Sequence, residues 1–187
     1  SRTPPPDTVL SQGCGLVDRS GRGRLALTGT EARTFLNGQV SNDVEALEPG
    51  SGCFAAFLTP KGKMLGDLRV LVTGPPQDEV LLDTERVALQ ALFDLLRRAT
   101  IGFDVELHKR TLQTAELALV GPGARAVAGA DDLPAEEYAN RPATIAGSDV
   151  RVVATDMGVD VLCAAEELEG VSAALISAGA VPVSEAD

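Results

Sequence analysis

A nine-residue segment that occurs twice constrains the fold of this chain more than any other feature of its sequence. Residues 25–33 read LALTGTEAR and residues 117–125 read LALVGPGAR, so six of the nine positions are identical. In each copy an apolar run ends at a glycine, Gly29 or Gly121, which permits a tight turn, and a helix-forming stretch follows. The repeat predicts two strand–turn–helix units.

The segments that follow the two copies also correspond. Residues 53–74 have the pattern of a β-hairpin that turns at residues 60–63, and residues 144–156 are the counterpart in the second half. Residues 79–107 and residues 158–184 then each give a strand, a helix and a strand. The whole order of elements is therefore expected twice.

The fold that these correspondences predict is α+β, a duplication of two subdomains of like topology. The first subdomain is predicted to cover residues 1–111 and the second residues 112–187, and we expect a pseudo-two-fold axis to relate them. Apolar residues at helical spacing predict the core faces of the two longer helices. These residues are Val87, Leu89, Leu92, Phe93, Leu95 and Leu96 in the first helix, and Leu168, Val171, Ala174 and Leu175 in the second.

The charge balance excludes one class of partner. The chain has 16 basic and 27 acidic residues, a net charge of -11, whereas a broad duplex nucleic-acid surface needs clustered Lys and Arg. No apolar run is long enough to span a bilayer, and the opening SRTPPPDTVL lacks the charged and apolar regions of a signal peptide. The sequence predicts a cytoplasmic protein that binds neither nucleic acid nor membrane.

Cysteine and histidine give no sign of a metal centre or a nucleophile. Cys14, Cys53 and Cys163 are widely spaced and form no CxxC pair, so each is interpreted as a buried or half-buried filler. His108 is the single histidine, and nothing near it in sequence supports a catalytic triad. We interpret it as a solvated residue at the end of a strand.

Two short segments are richer in polar residues than a fold alone requires. Residues 37–44, NGQVSNDV, include Gln39, Asn42 and Asp43. Such side chains commonly satisfy loose backbone groups after a helix, as Gly38 suggests here. Amide groups also suit the edge of a heterocycle such as a pterin, because they donate and accept together. The sequence leaves both interpretations open.

The second polar segment is the predicted hairpin, residues 59–69, TPKGKMLGDLR. Asp67 and Arg69 lie two residues apart and so on one face of a strand. A carboxylate at this position could accept hydrogen bonds from a pterin's ring nitrogen and exocyclic amine, and Lys63 could meet a glutamyl tail. The alternative is an ordinary solvated hairpin tip. No glycine-rich phosphate loop is present, because RSGRGR at residues 19–24 lacks the required spacing.

The order of motifs resembles the superfamily of the glycine-cleavage T-protein, the aminomethyltransferases. A GxxDxS element, a strand that ends in Gly, an FL helix and an ND turn occur in that order, and GKMLGDL and VGPGAR extend the match over nearly the whole chain after residue 12. The matching residues of the opening are Gly15, Asp18, Ser20, Gly29, Phe35, Leu36, Asn42 and Asp43.

The resemblance implies the duplicated folate-binding α+β domain, usually followed by a small β-barrel, so residues 112–187 are expected to lack the C-terminal part and the barrel. It implies tetrahydrofolate or a derivative as the cofactor. The residues it assigns to folate are Gln39, Asn42, Asp43, Lys63, Asp67 and Arg69.

Two departures from the family pattern bear on activity. Aminomethyltransferases carry two adjacent Asp residues in the hairpin, and the first is considered essential for methylene transfer; Gly66 and Asp67 stand in that place here. A TGEDG-like segment with a folate-binding Glu is replaced by TDMG at residues 155–158. We therefore assign no catalytic residue, and the resemblance leans against enzymatic activity.

GQV before the ND turn and GKM in the hairpin are similar to YgfZ-type proteins, folate-binding factors that assist iron–sulfur cluster assembly or repair. The expected function is that of a YgfZ-type protein with iron–sulfur apo-proteins as partners. The alternative is a tetrahydrofolate-dependent aminomethyltransferase or related one-carbon transferase, and a scaffold without folate affinity is a third possibility. The KGCYxGQE signature of YgfZ-type proteins, which contains a functional cysteine, does not occur in these 187 residues. We therefore assign the role of that cysteine to none of Cys14, Cys53 and Cys163.

Overall fold

Two β-sheets, each with helices packed on one face, organise residues 13–184, which the computed structural model describes. In chain order the strands are β1 (Gly15–Asp18), β2 (Gly23–Thr28), β3 (Ser51–Leu58), β4 (Met64–Val72), β5 (Val80–Thr84), β6 (Glu106–Lys109), β7 (Thr114–Val120), β8 (Asn140–Ile145), β9 (Ser148–Ala154), β10 (Gly158–Ala164) and β11 (Val181–Pro182). The α-helices are α1 (Ala32–Asn37), α2 (Leu89–Ala99), α3 (Ala124–Ala128) and α4 (Leu168–Ser177); short 3₁₀ helices at Arg86–Ala88 and Ala165–Glu167 precede α2 and α4.

The first unit, Gly21–Thr111, contains an antiparallel five-stranded sheet in the order β3-β4-β5-β2-β6. Helices α1 and α2 bury their apolar residues against one face of this sheet. Phe35 and Phe57 are fully buried there, and each contributes about 2 to 3 kcal/mol by leaving water. The remaining buried residues of this core are Leu25, Leu27, Ala32, Leu36, Val44, Ala55, Leu68, Val70, Val80, Leu82, Leu92 and Leu96.

The core prediction for helix α2 is correct in part. Leu92 and Leu96 are fully buried, but Val87 is 89% exposed. Val87 lies in the 3₁₀ helix that precedes α2, where the residues do not continue the spacing of the α-helical face. The buried stripe of the helix therefore begins later in the chain than the apolar spacing predicts.

The second unit joins residues 13–20 to residues 112–184 and contains a six-stranded sheet in the order β11-β1-β7-β10-β9-β8. Strand β11 runs parallel to β1, and the other neighbours are antiparallel. Val171 and Leu175 of helix α4 are buried against this sheet, as the apolar spacing predicts. Leu168 is only partly buried at the same core.

The predicted strand–turn–helix is present in both copies of the repeated segment. Strand β2 ends before Gly29 and β7 before Gly121, whose φ angles are 114° and 120°. Only glycine adopts this backbone conformation without strain. The strands around the two copies are also arranged alike. The first sheet contains the order β3-β4-β5-β2, and the second sheet contains the corresponding order β8-β9-β10-β7. The pseudo-two-fold relation between the units stays a prediction.

The structure corrects the first predicted subdomain, residues 1–111. Strand β1 pairs along its length with β7, and Gly15 and Leu16 also pair with β11. Residues 13–20 therefore belong to the sheet of the second unit. Strand β6 occupies the place beside β2 that β1 occupies beside β7. The predicted termini, residues 1–12 and 185–187, lie outside the described residues.

Replacement of Gly29 by alanine is expected to destabilise the first unit strongly. A Cβ atom at Gly29 would lie 2.3 Å from the backbone oxygen of Asp104, and φ is already left-handed. Strain and overpacking of this kind cost about 2 to 4 kcal/mol together. Urea unfolding of Gly29→Ala should show this loss. Gly21→Ala is the matched control, because nothing lies within 4 Å of its added Cβ. Equal urea midpoints for the two variants would contradict the close contact and left-handed backbone assigned to Gly29.

Candidate functional site

Strand β4 carries charged residues on one face and core residues on the other. Leu68 and Val70 are fully buried in the core beneath the helices. Because side chains alternate along a strand, Asp67 and Arg69 lie on the opposite face. In the β3–β4 ladder Asp67 is opposite Ala56 and Arg69 is opposite Phe54. We call the face formed by Phe54, Ala56, Asp67 and Arg69 the polar sheet face.

The turn that follows helix α1 runs along the outer edge of strand β3. The Ser41 amide donates to the Ala56 carbonyl at 2.9 Å, and the Ala56 amide donates to the Ser41 hydroxyl at 2.8 Å. The Asn42 side-chain amide donates to the Phe54 carbonyl at 2.8 Å. Asn42 is therefore only one strand away from Asp67 and Arg69. The structure brings these parts of the two polar segments together at one sheet edge.

Within the turn, the side chains of Asn42 and Asp43 accept hydrogen bonds from backbone amides. The Asn42 carboxamide oxygen accepts from the Asp43 amide at 2.7 Å, and an Asp43 carboxylate oxygen accepts from the Ala46 amide at 3.2 Å. Asn37 does the same for the amides of Val44 and Glu45. This geometry favours the interpretation that these residues cap and close the turn.

Two of the predicted folate residues lie apart from the polar sheet face. Gln39 lines a groove of about 600 Å³ between the hairpin tip and helix α2, together with Leu65 and Leu95. Lys63 is exposed at the tip of the hairpin, where its backbone amide donates to the Thr59 hydroxyl at 3.0 Å. Neither residue reaches Asp67 through a contact among residues 13–184.

A cluster of buried charges lies beside Asp67 on the same sheet, and the sequence analysis missed it. Arg69 and Asp83 are both buried and form an ion pair at 3.4 Å. Arg22 Nε contacts the other Asp83 oxygen at 2.6 Å. Arg24, the ladder partner of Asp83, donates to the carbonyls of Arg22 and Thr111. The signal available in the sequence is one charge inside each of two apolar strands, GRLALT and VLLDT.

Asp67 is the carboxylate of the polar sheet face that is open to a ligand. It is half-buried, and its backbone oxygen accepts from the Thr84 hydroxyl at 2.6 Å, which fixes the strand at this point. Its carboxylate makes no hydrogen bond or ion pair with any residue between 13 and 184. An ionised carboxylate accepts two parallel N–H bonds well. The residue opposite Asp67 in the β3–β4 ladder is Ala56, whose side chain is a single methyl group.

Packing explains the glycine that precedes Asp67. A Cβ atom at Gly66 would lie 2.8 Å from the ring of Phe57 and 3.2 Å from the Cβ of Ala88. Phe57 is fully buried. Gly66 stands where the family resemblance expects the first of two adjacent Asp residues. The space for a side chain at this position is filled by the core, and a longer side chain would displace the Phe57 ring.

A separate cavity of about 410 Å³ adjoins the Gly29 turn but suits an anionic ligand poorly. Its charged lining consists of three carboxylates, Asp78, Glu79 and Asp104, and one cation, Arg33. Hydrogen bonds from the Thr30 hydroxyl and amide hold the pKa of Asp104 below its ordinary value. Asp104 therefore stays ionised at neutral pH. A folate, which carries carboxylates of its own, would meet repulsion here.

The cysteines occupy the positions expected of fillers. Cys14 and Cys163 are buried, and Cys53 is half-buried. Burial raises the pKa of the Cys14 thiol to about 11. Burial and, secondarily, the charge of Asp43 raise the pKa of Cys53. Thiols with raised pKa values are weak nucleophiles at neutral pH. His108 is half-buried rather than fully solvated, and its Nε2 lies 2.8 Å from the Thr28 hydroxyl.

The fold agrees with comparisons to known proteins. The sequence profile of the GCVT N-terminal domain matches residues 8–183, and the chain belongs to this family. An aminomethyltransferase of Thermus thermophilus is 29% identical over 182 residues, which are 93% of this chain and 52% of that protein. An aminomethyltransferase of Bordetella bronchiseptica is 30% identical over 142 residues, 75% of this chain and 36% of that protein.

Solved structures show the same fold. Aminomethyltransferase T of the glycine cleavage system from Bartonella henselae aligns with a TM-score of 0.74 at 22% identity, over 91% of this chain and 47% of that one. A chain of heterotetrameric sarcosine oxidase from Corynebacterium sp. U-96 aligns with a TM-score of 0.63 at 22% identity, over 88% of this chain and 83% of that one. The chain spans about half the length of the Thermus relative it matches.

These findings confirm the resemblance to the glycine-cleavage T-protein superfamily and the mixed α and β fold. The relatives described above are aminomethyltransferases, which supports the alternative function better than the YgfZ-type function. The assignment to the YgfZ branch stays a prediction. Among residues 13–184, no helix is long and apolar enough to cross a membrane.

Removal of the Asp83 carboxylate is expected to destabilise the first unit. Asp83→Ala takes away the group that Arg22 and Arg69 share, and loss of one partner from a buried ion pair costs about 3 kcal/mol. Asp149→Ala is the control, because Asp149 is exposed on strand β9. Chemical denaturation monitored by far-UV circular dichroism gives both values. A midpoint for Asp83→Ala equal to that of the control would show that the cluster does not support the fold.

Proposed function

We propose that this chain is a tetrahydrofolate-binding domain of the aminomethyltransferase family, and that Asp67 holds the donor edge of the pterin ring. The observation that carries the proposal is the half-buried Asp67 carboxylate, which has no partner among residues 13–184 and lies opposite Ala56 in the β3–β4 ladder. Family membership and the aminomethyltransferase relatives support a folate as the ligand.

The chemistry of the ligand matches this position. A pterin presents a ring N–H and an exocyclic amine side by side, and one carboxylate can accept from both. The Asp83 cluster fixes Arg69 on the same face, so that the strand that carries Asp67 is held on both sides. Asn42 anchors β3 through the Phe54 carbonyl. The proposed role of Asn42 is therefore to fix strand β3 within the polar sheet face.

The remaining predicted residues have smaller roles in this proposal. Lys63 lies at the exposed hairpin tip, where its ammonium can meet the glutamyl tail of a folate that extends along the hairpin. Asp43 supports the turn beside β3, and Gln39 lines the groove beside helix α2, so neither is assigned a contact with the pterin ring. Arg69 is buried and paired with Asp83, so its proposed role is to balance the charge of Asp83 and to hold the strand that carries Asp67.

Two functions of the whole protein are compatible with this site. The relatives support aminomethyl transfer to tetrahydrofolate. A YgfZ-type role with iron–sulfur apo-proteins is the second candidate, and the observation that favours it is Gly66, where the buried Phe57 ring excludes a carboxylate beside Asp67. Folate binding is common to both.

Loss of the Asp67 carboxylate is expected to weaken folate binding by about 1 to 3 kcal/mol, because the pterin donors then lose their acceptor. Isothermal titration calorimetry with tetrahydrofolate under anaerobic conditions measures this for wild type and Asp67→Ala. Asp149→Ala removes an exposed carboxylate from the other unit and should leave the affinity unchanged. Equal dissociation constants for wild type and Asp67→Ala would show that the pterin binds elsewhere.

Binding without methylene transfer is the expected behaviour of this chain. Gly66 offers no carboxylate at the position that the family uses for the reaction, so the protein should form no methylene-tetrahydrofolate above background from tetrahydrofolate and an aminomethylated lipoyl carrier. The product is quantified by chromatography. Clear turnover would reject the YgfZ-type role in favour of the transferase, whatever the affinity for folate.

A further inference from the structure

A groove of about 600 Å³ lies between the tip of the β3–β4 hairpin and helix α2 of the first unit, and we call it the α2 groove. Its apolar lining comes from Pro60 and Leu65 of the hairpin and from Ala91, Leu95 and Ala99 of the helix. The three helical residues recur at intervals of four, so the groove follows one face of the helix for about 12 Å. A groove of this shape suits an elongated occupant.

The end of the hairpin beside the groove exposes large apolar side chains. Leu65, which lines the groove, is 38% exposed, and Leu58 and Met64 are 39% and 56% exposed. Leu58 and Met64 are partners in the β3–β4 ladder, so the three residues belong to one end of the hairpin. Exposed apolar side chains that cluster in this way mark interaction surfaces, whereas singly scattered ones do not. The hairpin end is therefore a candidate contact surface.

The charged groups around the α2 groove are mainly cations. Arg98 lines the groove, and Lys61 and Lys63 are exposed in the hairpin turn that borders it. None of the three forms an ion pair with a carboxylate among residues 13–184. Asp94 also lines the groove, and its carboxylate accepts a hydrogen bond from the Gln90 side chain at 3.0 Å. The whole chain has 27 acidic and 16 basic residues, so the groove is a local excess of positive charge.

We propose that the α2 groove binds an acidic amphipathic helix of another protein. The apolar face of such a helix lies on Leu65 and Leu95, and its flanking carboxylates meet Arg98 and Lys61. A chain of net charge -11 repels an acidic partner elsewhere, so the cations at the groove also determine where the partner docks. The groove lies on the helix side of the sheet, opposite the polar sheet face. This inference therefore goes beyond the folate function and does not depend on it.

The shape of the groove favours a helix over a small molecule or a bilayer. An amphipathic helix presents apolar residues at i, i+3, i+4 and i+7, which extend for about 10 Å along its axis and match the length of the groove. A small-molecule pocket encloses most of its ligand, whereas the α2 groove lies at the surface between two elements. A bilayer is broad and flat, and its lipids do not fill a groove that follows a helix.

The probe for this site is a fluorescein-labelled peptide of about 14 residues, long enough to form a helix when it is bound. It consists of glutamate and alanine, with leucine at i, i+3, i+4 and i+7. Fluorescence anisotropy should show saturable binding to wild-type protein. The same peptide with lysine in place of every glutamate should not bind, because its charges then repel Lys61 and Arg98.

Variants of the groove test the charges and the apolar contact separately. Arg98→Glu and Lys61→Glu each place a like charge against the peptide and should weaken binding by about three- to tenfold. Leu65→Ser removes an apolar contact and should weaken it by about five- to tenfold. Arg97→Glu is the matched control, because it makes the same charge change at the same end of α2, but its side chain leaves the helix about 100° away from that of Arg98. It should bind within about twofold of wild type.

Salt dependence gives a readout that a purely structural effect would not change. Added salt should weaken binding by wild type more than binding by Arg98→Glu, because the variant has fewer attractive charge pairs to screen. Circular dichroism should show the same spectrum for wild type, Arg98→Glu, Lys61→Glu, Leu65→Ser and Arg97→Glu. Calorimetry with 5-formyltetrahydrofolate, a chemically stable folate, should give the same affinity for wild type and Arg98→Glu.

The outcomes decide the occupant of the groove. Weaker peptide binding by Arg98→Glu and Leu65→Ser, with Arg97→Glu unchanged, supports the proposal. Absence of binding to wild type, or equal loss in Arg98→Glu and Arg97→Glu, overturns it and leaves the folate function intact. Binding to vesicles of phosphatidylglycerol and phosphatidylcholine without binding to the peptide overturns it in favour of a membrane surface. Self-association in sedimentation velocity that Arg98→Glu abolishes overturns it in favour of a second copy of this chain.

Discussion

The alternation of side chains along strand β4 is the constraint on which the candidate site depends. Leu68 and Val70 fix one face of the strand in the core, and this forces Asp67 and Arg69 onto the other. A shift of one residue in register would bury Asp67 and expose the core residues. The pairing with β5, where Arg69 meets Asp83, holds the register at the point where a slip would be most costly.

The same constraint explains why the site combines a carboxylate with apolar surface. The outer face of β3 presents Phe54 and Ala56, and the outer face of β4 presents Asp67 and Arg69. The core side at the head of β4 is so closely filled that Gly66 cannot carry a side chain. The polar sheet face therefore combines the Asp67 carboxylate with the Phe54 ring, but it lacks the two adjacent carboxylates of the family pattern.

Much of the local structure is predictable from the sequence, because it is encoded within a few residues. Gly29 and Gly121 mark the two repeated turns through a backbone conformation that other residues avoid. The hairpin follows from alternating apolar residues around Pro60 and Gly62. The polar positions Gln39, Asn42 and Asp43 of the turn are predictable as a group, although only the structure shows that Asn42 and Asp43 accept hydrogen bonds from backbone amides.

The features that escaped prediction depend on distant pairings. Nothing local in the four residues of β1 indicates that they join β7, about a hundred positions later. The contact of Arg22 with Asp83 spans 61 positions and has no periodic signal. The reason for Gly66 lies in the ring of Phe57 on the neighbouring strand. In each case the sequence shows the residue, and only the fold supplies its partner.

The location of the ligand is tested most directly by amide chemical-shift mapping of the ¹⁵N-labelled protein during titration with 5-formyltetrahydrofolate. We expect the largest shift changes at Phe54, Ala56 and residues 67–69. Changes concentrated instead around Thr30, Arg33 and Asp78 would place the ligand in the cavity beside the Gly29 turn and would contradict the proposed location.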